Sequence, residues 1–151
     1  MSLTAHEEYI REAVALAQAA RANGNHPFGA LLVKDGEIIL RAENTVCTMK
    51  NPTHHAEMNL VNKAWELLPA EVIQASTLYT STEPCPMCCG AIFWSKIRRV
   101  VYSFPALELG KIANDTFCGP CNVLFSKGGE HTEVIGPILE DEGRQVHDKF
   151  W

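Results

Sequence analysis

Two short segments that lie far apart in the chain must meet in space if either is to do chemistry. His55-Ala56-Glu57 offers an imidazole with a carboxylate two residues further on. Pro84-Cys85-Pro86-Met87-Cys88 offers two thiols three residues apart. One imidazole and two thiols supply three ligands to a tetrahedral zinc, and three rather than four leave a position for water, which separates a catalytic zinc from a structural one. The spacing constrains the fold. Cys85 and Cys88, at i and i+3, face the same way from the first turn of a helix, and His55 and Glu57 fit the first turn of another. Both helix starts present unpaired N–H groups and the positive end of a macrodipole, a field that favours thiolate over thiol.

Each segment alone has a plainer reading. His-Ala-Glu at a helix start is an ordinary polar cluster, and an isolated Cys-x-x-Cys is often incidental. Occurring together and in this order, with Thr82-Glu83-Pro84 ahead of the first thiol and Gly90-Ala91-Ile92 after the second, they form a joint signal.

Bulk properties narrow the partners. The chain has 151 residues, 46% hydrophobic and 21% charged, which fits one domain over 1–151 with a core of its own. No uninterrupted apolar stretch is long enough to span a bilayer, and MSLTAHEEY lacks the regions of a secretory signal. Six cysteines in this setting suggest a reducing compartment, so a cytoplasmic location is expected. The formal charge of −5 argues against tight binding to nucleic acid, which shows as a basic patch. The compact basic run Lys96-Ile97-Arg98-Arg99 reads as the solvated start of a strand. A small substrate is expected, with no membrane partner.

Periodicity supplies the elements. Ile10, Ala13, Val14 and Ala17 have helical spacing, and Gly24 follows as a stop. Phe28 to Val33 and Ile38 to Leu40 read as strands joined by the hairpin turn Asp35-Gly36. Met58, Val61, Trp65 and Leu68 predict a second helix, Thr77 to Thr80 a strand, the cysteine segment a helix to about Ser95, and Val100 to Tyr102 a fourth strand. A short helix over 106–112, a loop from Asn114 to Cys121, a strand over 132–135 and a closing helix over 139–151 complete the layout. Strands alternating with helices after an opening hairpin predict a layered α/β domain with a mixed sheet.

The residues reached so far resemble the cytidine/deoxycytidylate deaminase superfamily, whose signature is H-x-E…P-C-x-x-C, and more closely its guanine-deaminase-like and nucleoside-deaminase branch. The resemblance runs through Pro27-Phe28-Gly29-Ala30, Asn44, Asn51 to Met58, Tyr79 to Trp94, and Arg99 to Tyr102. It implies a three-layer α/β/α fold around a five-stranded mixed sheet, one Zn2+ per subunit on His55, Cys85 and Cys88, and a homodimer or larger assembly. It casts Glu57 as the catalytic proton carrier, moving a proton from water to a ring nitrogen and then to the departing amine. For substrate contacts it points to Asn44, Phe28, Ala56, Glu83, Trp94 and Asp115. The terminal aromatics Phe150 and Trp151 are expected to cover a bound ring.

The resemblance therefore implies a hydrolytic deaminase that releases ammonia from a free amino-substituted nucleobase, guanine above all. Cytosine, another aminopurine or a triazine-type ring, and the wobble adenosine of tRNA are the enzymatic alternatives. Acidic charge, Trp94 and the absence of a basic C-terminal helix argue against the tRNA reading. A zinc-stabilised binding module is the non-enzymatic alternative, and it would have no need of Glu57 beside the metal. Cys118-Gly119-Pro120-Cys121 has redox-motif spacing but sits in a late loop, where that chemistry is not expected.

Overall fold

The computed structural model describes residues 2–114, 116–129 and 132–151; Asp115, an expected substrate contact, lies outside the described residues. The first helix, α1 (Leu3–Ala22), starts where the Ser2 hydroxyl accepts from the N–H of Ala5 at 3.3 Å, and it buries Ile10, Ala13, Val14 and Ala17. Strands β1 (Gly29–Lys34) and β2 (Glu37–Glu43) follow as an antiparallel hairpin. Its turn residues Asp35 and Gly36 have φ of 51° and 78°, the left-handed pair that suits strand twist. Gly29 is required at the strand start: a Cβ there would lie 2.5 Å from the Leu16 Cβ and 2.6 Å from the Ala13 carbonyl oxygen. Hence β1 sits directly on α1.

The remaining elements are α2 (Val46–Met49), α3 (Ala56–Leu67), α4 (Ala70–Gln74), β3 (Thr77–Thr82), α5 (Pro86–Ser95), β4 (Arg99–Phe104), α6 (Ala106–Ile112), α7 (Cys121–Ser126), β5 (Glu133–Ile135) and α8 (Glu140–Gln145). The sheet order is β2-β1-β3-β4-β5, antiparallel from β2 to β3 and parallel from β3 to β5. This is a five-stranded mixed sheet flanked by helices, as the resemblance implies.

Alternation along the strands separates the two cores. Ala30, Leu32, Leu78 and Val100 face the side covered by α3, α5 and α7, where they meet Leu60, Ala64 and Ile92. Leu31, Val33, Tyr79 and Val101 face α1 and α8, where they meet Ile10, Val14 and Val146. Side chains two apart share a face of a strand, so one sequence serves both layers. Burying a side chain such as Leu60 or Ile92 stabilises by roughly 1.5–3 kcal/mol.

Four expectations shift. The buried stripe of α3 is Ala56, Glu57, Leu60, Val61 and Ala64; Met58 is only half-buried and Trp65 is 59% exposed. The apolar periodicity was real but rotated, because Ala and a buried Glu carry the inner face. The closing helix α8 is confined to Glu140–Gln145, after which the chain turns back towards α1. Cys121 begins α7 rather than ending a loop. Short α2 and α4 have too few apolar repeats to show a period.

Candidate active site

The parallel pair β3 and β4 ends at one edge of the molecule, and ligands of α/β sheets commonly bind beyond such strand ends. There α3 and α5 point their N-termini at one another. His55 is the N-cap residue of α3, with Glu57 in its first turn, and Cys85 is the N-cap residue of α5, with Pro86 in the proline-tolerant first position. The expected geometry holds: the ligand atoms of His55, Cys85 and Cys88 all lie within 4.8 Å of one another, with Cys85 Sγ 3.6 Å from His55 Nδ1. One nitrogen and two sulfurs suit zinc.

Electrostatics agree with that donor set. A hydrogen bond from Cys88, joined by His55, holds the Cys85 thiol down to about 4 against its burial, while Cys88 is pushed up by the same partnership. The Cys85 hydrogen bond in turn raises His55. His55, Cys85 and Cys88 would hold a divalent cation here, which would take the place of that shared proton and favour both sulfurs as thiolates.

Glu57 is buried and lies beside this triad. Its Oε1 accepts from Thr80 Oγ1 at 2.6 Å. Burial raises the carboxyl above its usual range, with the Thr80 bond opposing and the Cys85 charge reinforcing the shift. A carboxyl raised in this way holds a proton more readily than an exposed one, which suits a group that relays protons. Beside it opens a cavity of about 390 Å³, a size that suits a small ligand. His55, Glu57 and Cys85 form its floor, while Phe28, Phe117 and Trp151 bring aromatic surface to its walls.

The other expected contacts divide. Phe28 and Trp151 line the cavity; Phe150 instead packs against His26 and beneath the Arg21 guanidinium, 5.4 Å from its ring centre. Trp94 is 72% exposed on the outside of α5 and is not a cavity wall, since the first-turn cysteines turn the opposite face inward. Ala56 is wholly buried against the sheet core. Asn44 is buried and its Oδ1 accepts from the Val46 N–H at 3.0 Å, capping α2. Glu83 borders the cavity, but its carboxylate is taken by the chain itself. Oε1 accepts from Ala106 N at 2.9 Å and Oε2 from Cys121 N at 2.7 Å. It thus caps α6 and α7 together, where an acceptor for a substrate amine was expected.

Three residues take places at the site that the sequence did not assign them. Thr80 grips Glu57, Thr82 lines the cavity, and His147 is buried behind it with Nε2 3.2 Å from Thr82 Oγ1. A threonine in a strand and a histidine near a chain end carry no local signal. Their roles arise from strand register and from the return of the C-terminal segment. Cys89 and Cys121 are buried thiols, and among the described residues the His55, Cys85 and Cys88 cluster is the metal-binding group.

Comparison with known proteins agrees with this geometry. Residues 3–104 match the model of the cytidine and deoxycytidylate deaminase zinc-binding region. The chain is 35% identical to a probable cytosine deaminase of Schizosaccharomyces pombe, over 95% of this chain and 90% of that protein. It is 46% identical to a guanine deaminase of Bacillus subtilis, over 65% of this chain and 64% of that protein. With a tRNA-specific adenosine deaminase of the same bacterium it shares 37% identity, over 93% of this chain and 84% of that protein. A solved guanine deaminase from Bacillus subtilis superposes with a TM-score of 0.66 at 39% identity, covering 75% of this chain and 71% of that one. With its histidine and two cysteines set to bind a metal as in zinc deaminases, this chain belongs to the cytidine and deoxycytidylate deaminase zinc-binding family.

Proposed function

We propose that the chain is a hydrolytic deaminase of a free amino-substituted nucleobase, with guanine as its substrate. The observation that carries this reading is the placement of Glu57 beside the triad, on the floor of a small cavity whose wall includes Trp151. A purine ring fits within a cavity of about 390 Å³, and 46% identity to a guanine deaminase supports the choice of base.

His55, Cys85 and Cys88 hold the metal. Zinc at that position supplies Lewis acidity that activates water. Glu57 takes a proton from the attacking water and gives it to a ring nitrogen; it next takes the proton of the hydroxyl now on the ring carbon and gives it to the amino group as the carbon–nitrogen bond breaks. Water and amine are thus exchanged for a ring carbonyl and ammonia. Thr80 holds the carboxylate in place throughout. Phe28 and Trp151 offer aromatic faces to the ring. Residues 1–151 act as one domain, in the cytoplasm and as a homodimer; among the described residues no helix is long and apolar enough to cross a membrane.

The test is ammonia release by zinc-loaded protein from guanine, cytosine, adenine, their nucleosides and a tRNA anticodon stem-loop. Turnover of guanine ahead of every other member supports the reading. Preference for the stem-loop or for a nucleoside overturns it, and preference for cytosine moves it to another free base.

A further inference from the structure

His147 occupies a position that the reaction as described leaves without a purpose. It is 2% exposed, in the turn after α8, with its ring stacked on Trp151 at 6.1 Å and 23° and set against Phe28 and Phe104 at 5.4 and 5.3 Å. Its Nδ1 lies 3.0 Å from Trp151 Nε1, and its Nε2 lies 3.2 Å from Thr82 Oγ1. The partners decide the tautomer. An indole N–H only donates, so Nδ1 accepts and the ring proton of neutral His147 sits on Nε2. Nε2 therefore donates to Thr82 Oγ1. A hydroxyl that accepts on one side turns its own hydrogen elsewhere, and Thr82 is a cavity-lining residue.

We propose that the Thr82 hydroxyl donates a hydrogen bond into the cavity, to a carbonyl oxygen of the bound ring, and that His147 fixes its direction. Trp151, His147 and Thr82 then form one oriented chain, N–H to N, N–H to O, O–H to ligand. Two walls of the cavity, one from the end of β3 and one from the C-terminus, are set by a single buried imidazole. Thr82 is the contact that selects an acceptor edge; His147 is a positioning residue acting through it. The inference rests on reading the cavity as a nucleobase site, and it adds which edge of the base is recognised.

The experiment compares hypoxanthine, which carries a ring carbonyl, with purine, which does not. Dissociation constants are measured by quenching of tryptophan fluorescence in zinc-loaded protein. Wild type is expected to bind hypoxanthine more tightly. Thr82→Val should weaken hypoxanthine about tenfold relative to purine, the size of one neutral hydrogen bond, and Thr82→Ser should restore it. His147→Phe keeps an aromatic ring in place but ends the chain. It should reproduce the selective loss, and it decides the matter on its own should Thr82→Val not fold. Equal weakening of both rings, or none, in the variants overturns the inference while leaving the base site standing. Failure of wild type to bind either ring overturns the inference together with the reading beneath it.

Discussion

Thr80 Oγ1 lies 2.6 Å from Glu57 Oε1, and both residues are closed off from solvent. The contact joins the middle of the sheet to the first turn of α3, so the strand register of β3 sets where the carboxylate points. A buried carboxylate with a free rotor would sample orientations that miss the substrate; one hydrogen bond removes that freedom.

Thr80→Val, which keeps the shape and removes the hydroxyl, should lower kcat by roughly 10- to 100-fold, the worth of a hydrogen bond to a charged group. KM should stay close to wild type because Thr80 does not line the cavity. Steady-state kinetics check this, and Thr80→Ser should recover most of the loss. A change confined to KM would contradict the positioning role.

Glu83 should prove an organiser of structure. It joins two helix starts that are far apart in sequence, and replacing it with Ala leaves the N–H groups of Ala106 and Cys121 unpaired in the interior. A loss of about 3 kcal/mol is expected in urea unfolding, with a smaller loss for Glu83→Gln, which keeps one acceptor oxygen. Intact stability together with weakened substrate binding would instead mark Glu83 as a ligand contact.

His147 carries a pH signature. Burial first, and then the Arg21 charge, holds its imidazole down to about 4 from an ordinary 6.5, with Asp148 opposing. The unfolded chain takes up a proton below about 6.5 that the folded chain refuses until about 4. The stabilising contribution is therefore whole above 6.5 and is lost as pH falls across that window, by up to about 3 kcal/mol. The difference in urea stability between wild type and His147→Phe should change across this window and be flat above it. A difference that is flat from pH 7 to 4 would show that the imidazole titrates normally.

Deleting Phe150 and Trp151 should raise KM for a free base by roughly three- to tenfold, the scale of one aromatic contact. Zinc content and folding should be unaffected. Arg21 holds the preceding segment through the carbonyls of Val146 and Asp148 at 3.0 and 2.6 Å, so the shortened chain keeps its anchor. Unchanged kinetics in the deletion would retire the covering role.

What the sequence revealed, and what it hid, has a physical pattern. His55, Glu57, Cys85 and Cys88 were legible because helix geometry turns their short spacings into shared direction. The hairpin at Asp35-Gly36 and helix α6 were legible for the same local reason. The bonds that Glu83 and Asn44 make, to the backbone N–H groups of Ala106, Cys121 and Val46, leave no mark in a sequence. Trp94 resembled a site residue by motif, yet helix α5 turns it outward. Thr80, Thr82 and His147 depend on register and long-range return of the chain, which local spacing does not encode.

The central claim is that Glu57 carries the protons beside a metal held by His55, Cys85 and Cys88. Its most direct test is ammonia release from guanine by zinc-loaded wild type and Glu57→Gln, with zinc measured in both. The account predicts one zinc per chain in each protein, release of ammonia by wild type, and a loss of about a thousandfold in the variant. A Glu57→Gln protein turning over at a rate near wild type would contradict it.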